Sequence, residues 1–136
     1  SSNLRKHFDL IRKTVGMASL KDTAERLLAL PTEGDEWLAT AVDTFRRGSP
    51  TSAALAWELQ HRFRHRALSD VFRIEYNVAI SCCAAHDFAE GVRALLIDKD
   101  RSPKWDPPTL AAVEQKFIES HFRDHHDGAH PLSDWR

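Results

Sequence analysis

An all-α fold is predicted for this chain from three observations. Apolar residues recur at helical spacing in one segment after another. A cap residue opens most of these segments and a glycine, a proline or a charged string closes them. No stretch pairs strand alternation with breakers at the close spacing that ordinary strands show. The result is six or seven helices followed by a polar C-terminal tail.

Leu4, Phe8, Ile11 and Val15 share one helix face, and Gly16 can end that helix. Ser19 caps a second helix, with Asp22 in the box position and Leu20, Ala24, Leu27 and Leu28 on the buried side; Pro31 stops it. Asp35 or Thr32 starts a third, carrying Trp37, Leu38, Ala41, Val42 and Phe45 as far as Gly48. Ser49-Pro50 is an N-cap followed by proline at the first helical position, and the fourth helix runs to about Arg66. Residues 69–86 carry two patterns. Phe72, Ile74, Tyr76, Val78 and Ile80 alternate as in a strand, whereas Val71, Ile74, Val78 and Cys82 fit a helix. Strands usually end within about 4–8 residues, and nothing breaks this stretch, so a helix buried on two sides is expected.

Asp87 reads as the N-cap of a short helix, with Glu90 in the reciprocal position of a capping box. Phe88, Val92, Leu95 and Leu96 form its apolar stripe, and Asp98-Lys99-Asp100-Arg101 ends it. Asp106 or Thr109 caps a last helix with Leu110, Val113 and Phe117 inward, ending near His121; residues 123–136 read as a frayed tail. Trp37, Phe45, Leu55, Leu59, Ile74, Val78 and Leu95 are the expected core.

With 136 residues the chain is one domain by size. Its formal charge of −1 argues against a polyanion binder acting over its whole surface. No apolar run approaches a membrane span, and Ser1-Ser2-Asn3-Leu4-Arg5-Lys6 lacks a signal-peptide core, so no membrane partner is expected. The first residue is not Met, so the chain reads as processed, excised or part of something longer. Cys82 and Cys83 are adjacent and cannot join distant segments, which suits a reducing compartment.

The distinctive stretch is His86–Pro108. Ser102-Pro103 and Asp106-Pro107-Pro108 hold the segment extended, with Trp105 pinned between them and flanked by Lys99, Arg101 and Lys104. Asp87, Phe88, Glu90, Gly91, Val92, Arg93, Ala94, Leu96, Ile97, Asp98, Lys99, Asp100, Pro103, Trp105 and Pro107 resemble, residue by residue, the C-terminal motif of the 3-hydroxyisobutyryl-CoA hydrolases. These are a branch of the crotonase (enoyl-CoA hydratase/isomerase) superfamily. Ser49-Pro50-Thr51-Ser52, Ile74-Glu75-Tyr76 and, more weakly, Glu36-Trp37 resemble further landmarks of that family. The resemblance covers roughly residues 4–122. It implies a helical C-terminal domain over 1–122, a tail over 123–136, and a catalytic N-terminal core that is not in this chain.

Crotonase chemistry uses an oxyanion hole of two backbone N–H groups on loops that glycine lets a thioester approach. The five glycines here are isolated, and nothing corresponds to the family's catalytic carboxylates. No catalytic residue is therefore assigned, and no cofactor; acyl-CoA enters as the substrate the resemblance implies. Asp87 and Glu90 read as helix-end acids rather than an acid–base pair. Asp87, Glu90, Gly91, Arg93, Asp98, Asp100 and Pro103 are the structural part of the motif, in which Arg93, Asp98, Lys99 and Asp100 lock helix to loop. Lys99, Lys104 and Trp105 are the candidates for the CoA side, two cations for phosphate and an indole beside adenine. Trp105 is also the expected anchor into a partner surface.

Arg46, Arg47, Arg62, Arg64, Arg66 and Arg73, with His61 and His65, make a basic patch, either a solvated face or a phosphate-binding surface. His121, His125, His126 and His130 lack the companions of a recognised metal site, and no metal is assigned.

Two functions follow from the resemblance. One is the C-terminal part of an acyl-CoA thioesterase of valine degradation, covering the cleft and docking on the catalytic half. The other is a non-catalytic structural subunit, such as a mitochondrial ribosome small-subunit protein, with RNA or ribosomal proteins as partners. The expected setting is the mitochondrial matrix in a eukaryote and the cytoplasm otherwise.

Overall fold

Helix is the only regular structure among the described residues, 2–16 and 18–134 of a computed structural model. The chain forms two units, Ser1–Gly48 and Ser49–Arg136.

The first unit holds α1 (Asn3–Lys6), α2 (Phe8–Val15), α3 (Leu20–Leu28) and α4 (Glu36–Arg47). Ser19 accepts from the Asp22 amide to cap α3, and Asp35 accepts from the Leu38 amide to cap α4. The single first helix expected from the sequence breaks at His7, whose backbone leaves the helical region. The His7 ring is buried, stacked on Trp37 with ring centres 4.8 Å apart. Its Nδ1 lies 2.8 Å from the Asn3 carbonyl and its Nε2 2.7 Å from Asp35 Oδ2. Both partners are acceptors, so both bonds together need a proton on each ring nitrogen.

That inward turn of His7, followed by buried Thr14, sets which side of α1 and α2 is covered. Of the apolar face shared by Leu4, Phe8, Ile11 and Val15, Leu4 is 63%, Phe8 60% and Val15 48% exposed. Ala24, Leu38 and Val42 fill the core of this unit.

Asp35 also accepts from Lys6 Nζ, so one carboxylate joins α1, His7 and the start of α4. Lys6, the Leu38 amide and His7 hold its carboxyl far below the ordinary range. A carboxylate whose folded pKa is depressed stabilises above its unfolded value, about 3.9, and this is lost as pH falls towards the folded value. Acidification below about pH 4 should therefore lower the melting temperature, and Asp35→Asn, which keeps the cap, should blunt the drop. Thermal melts of both proteins between neutral and acid pH check this; identical acid sensitivity would count against it.

The second unit holds α5 (Pro50–Phe63), α6 (Leu68–Ala84), α7 (His86–Val92), a π-helical turn at Arg93–Ile97, a 3-10 turn at Leu110–Ala112 and α8 (Gln115–Ser120). Ser49 caps α5 by accepting from the Ser52 amide, with Pro50 at the first helical position. The doubly patterned stretch is helix, and it buries Asn77, Val78 and Ser81 on one face. Leu55, Ala54, Ala94 and Ile118 complete the core with Val78. Trp37, Phe45, Leu59 and Ile74 are half-buried, while Leu95, expected in the core, is 62% exposed.

The last helix is shorter than expected. It buries Ile118 rather than Phe117, which is 36% exposed. Arg62 of α5 bonds to Glu58 at 2.8 Å and Glu119 at 2.6 Å, with its guanidinium 3.8 Å above the Phe122 ring. Partial burial opposes the Arg62 charge, but the two carboxylates outweigh it and hold the guanidinium above its ordinary value.

Residues 124–133 of the stretch read as frayed lie along α6. Asn77 donates to Asp124 at 2.8 Å, Ser81 Oγ sits 2.6 Å from His125 Nε2, and His130 meets Tyr76 edge-on. Arg73 donates to the Leu132 and Ser133 carbonyls. Polar side chains on α6 with backbone partners explain why a segment poor in apolar residues still packs.

Candidate functional site

The motif folds as a helix and a returning extended segment stitched together by carboxylates. Asp87 is not the N-cap of α7: Ala85 is, with no side-chain cap bond, and no reciprocal box forms with Glu90. Both acids face the loop instead. Asp87 Oδ1 accepts from the Asp106 amide at 2.9 Å, and Glu90 Oε1 from the Lys104 amide at 2.7 Å. Amides two residues apart in an extended chain point the same way, so acids one helical turn apart can take both. Asp87 Oδ2 accepts from Ser49 Oγ, and His86 Nε2 donates to the Lys104 carbonyl. Ser49 was recognisable as a cap and family landmark; its second bond, to Asp87, needed the tertiary structure.

Arg93 sits at the centre. Its Nε and Nη2 bond both Glu90 oxygens at 2.8 Å. Nη1 reaches Asp98 at 2.6 Å and Asp100 at 2.7 Å, and Nη2 reaches the Ser102 carbonyl at 3.3 Å. Asp100 in turn accepts from the Ser102 amide. Only guanidinium offers a planar fork with enough donors for this set. Arg93, with the Lys104 amide, lowers Glu90 to about 2, and Arg93 with the Ser102 amide lowers Asp100. The three carboxylates raise Arg93 above its ordinary value. A carboxylate held this low is ionised throughout the physiological range and is a poor proton donor. Glu90 is thus suited to clamping rather than acid–base work.

Trp105 is half-buried against its own helix. A Cβ at Gly91 would lie 3.4 Å from the Trp105 Cη2, so the indole rests on the one position of α7 that has no side chain. Pro103 is half-buried beside it in the chain. The sequence made Trp105 an anchor into a partner surface; in the structure its Cη2 and Cζ3 edge lies beside Gly91 of α7.

Other apolar side chains of the motif stand more exposed. At the π turn the Asp98 amide bonds to the Arg93 carbonyl, five residues back. Ala94 is buried there, while Leu95, Leu96 and Ile97 are 62%, 63% and 69% exposed, and Phe88 is 54% exposed. Leu95, expected in the core, therefore faces out with Leu96 and Ile97. The register change and the Arg93 bonds orient this segment, and helical spacing alone could not show it. Beyond it, Lys99 and Arg101 adopt left-handed backbone, φ 57° and 54°. Lys99, Arg101 and Lys104 are exposed and have no ion-pair partner among the described residues.

The basic patch is divided. Arg46 and Arg47 belong to the first unit, and Arg62, Arg64, Arg66 and Arg73 to the second. Arg47 pairs with Asp43, Arg62 with Glu58 and Glu119, and Arg73 with Asp70; Arg46, Arg64 and Arg66 are exposed. His121 Nδ1 donates to the Phe117 carbonyl. Among the described residues no three His, Cys, Asp or Glu side chains converge as metal ligands. Burial pushes the Cys82 thiol up, which suits a packing role.

Helices around a carboxylate-clamped motif loop define the class: an all-helical segment of the crotonase type. Residues 1–122 match the model of the enoyl-CoA hydratase/isomerase family, and the chain belongs to that family. It is 35% identical over 88% of its length to the mitochondrial 3-hydroxyisobutyryl-CoA hydrolase of Danio rerio, and 32% identical over 88% to that of Homo sapiens. Among solved structures it resembles an enoyl-CoA hydratase from Rhodobacter sphaeroides 2.4.1, with TM-score 0.78, 29% identity and 90% of this chain covered. A carnitinyl-CoA dehydratase from Mycobacterium thermoresistibile is similar at TM-score 0.77 and 28% identity, over 91% of this chain. The chain spans 30% of the length of those two hydrolases and 35% of each of the two solved chains. No helix among the described residues is long and apolar enough to cross a membrane.

Proposed function

We propose that this chain is the helical C-terminal part of a 3-hydroxyisobutyryl-CoA hydrolase-type thioesterase, which docks on a catalytic crotonase core and covers its acyl-CoA cleft. The observation that carries this is the 35% identity to the Danio rerio hydrolase over 119 residues of a chain that includes the whole motif. The exposed Leu95–Ile97 face supplies an apolar surface for the core, and the adjoining Lys99 and Lys104 supply cations for CoA phosphates. A place in valine degradation and a mitochondrial matrix setting belong to the same reading, since the relatives named above are mitochondrial hydrolases.

A scaffold role against RNA or ribosomal proteins would need a free arginine surface. Arg47, Arg62 and Arg73 are engaged by carboxylates, which leaves Arg46, Arg64 and Arg66 as the exposed arginines of the patch, split between the two units.

The isolated chain should not hydrolyse 3-hydroxyisobutyryl-CoA, and adding a crotonase core from a relative should give thiol release. A coupled thiol assay with and without the core checks this. Turnover by the chain alone that a mutation within it abolishes would overturn the division of labour. Absence of turnover with the core bound would overturn the hydrolase reading.

A further inference from the structure

Left-handed backbone costs an L side chain of this size energy that glycine would not incur. Lys99 stands one residue past the Asp98 C-cap of the π turn, where chains usually place glycine. Arg101 repeats the unfavourable conformation two residues on. A loop that keeps long cations at two such positions needs something to hold it, and strain of this kind collects where a ligand is met. Arg93 is what holds it. Its bonds to Asp98, Asp100 and the Ser102 carbonyl bracket both strained residues, and its fork on Glu90 anchors them to α7. The Arg101 amide adds a bond to the Ala94 carbonyl at 3.0 Å.

Charge follows the same division. Arg93 engages Glu90, Asp98 and Asp100, one guanidinium offsetting part of the charge of three carboxylates. Lys99, Arg101 and Lys104 are exposed outside that cluster, and Asp106 is the exposed acid of the loop that Arg93 does not engage.

We propose that Arg93 is a positioning residue for ligand binding: it holds residues 98–104 in their strained form so that Lys99 and Arg101 meet the phosphate groups of a CoA thioester. This rests on the hydrolase reading above. Arg93 itself touches no ligand; its guanidinium is fully engaged within the loop.

The test uses the chain assembled with a crotonase core, CoA as the probe, and pantetheine and inorganic phosphate as controls. Hydrogen exchange of the Ser102, Lys104 and Asp106 amides reports loop position directly. In Arg93→Met these amides should lose protection, and CoA should bind roughly tenfold or more weakly, while pantetheine, which lacks the nucleotide phosphates, binds as before. Arg93→Lys keeps the charge without the fork and should not rescue either readout. Lys99→Gly suits the left-handed position, so it should fold and keep the amides protected, yet weaken CoA with a smaller salt dependence. Unprotected amides with wild-type CoA affinity, or protected amides in Arg93→Met, would overturn the proposal and leave the hydrolase reading intact. Failure of the wild-type assembly to bind CoA, or equal binding of inorganic phosphate, would overturn the hydrolase reading itself.

Discussion

Ile118→Ala is expected to cost about 2–5 kcal/mol of unfolding free energy, whereas Leu95→Ala should stay within about 0.5 kcal/mol. Ile118 is 2% exposed, on a six-residue helix held to α5 by Arg62 and Glu119. Removing its side chain leaves a cavity that so short a helix has few other apolar contacts to offset. Leu95 is 62% exposed and loses almost no buried surface on truncation. Urea unfolding of both variants, followed by circular dichroism, tests the ranking. Comparable losses would mean that the π turn is covered in the free chain.

Ile97→Asp should weaken association with the catalytic core by roughly 30-fold or more, the effect of losing about 2 kcal/mol at an interface hot spot. Ile97 is 69% exposed and neighbours Leu95 and Leu96 on the same turn. A charge there costs the free chain little but places an unpaired carboxylate against apolar surface once docked. Lys99→Ala should change association far less, because an exposed cation contributes about 0–1 kcal/mol. Binding by calorimetry, with melting curves of the free variants, separates the two effects. Wild-type affinity in Ile97→Asp would sink the docking face and return Trp105 to the role of anchor.

Local signals were reliable where the chemistry was local. Ser19, Asp35 and Ser49 are caps whose side chains meet an amide three residues on, so residue type and spacing were enough. The same logic failed at Asp87. An acid before an apolar run reads as a cap, but the Asp106 amide and the Ser49 hydroxyl compete for its oxygens from distant points in the chain. The grouping of Asp87, Glu90, Arg93, Asp98 and Asp100 into one structural motif was legible through the family resemblance. The direction in which Leu95–Ile97 face was not.

Residue type and spacing were enough to show that helix is the regular structure here, where most of the helices start and stop, and to which family the chain belongs. These follow from caps, prolines, periodicity and a motif long enough to be specific. Which faces are covered emerged from the packing alone. Period 3.6 says which residues share a face and nothing about its direction, so Leu4, Phe8 and Leu95 stand outward while His7 and Ala94 are buried. That direction is set by bonds between residues far apart in the chain: His7 with Asp35, Glu90 with Lys104, and Asn77 with Asp124.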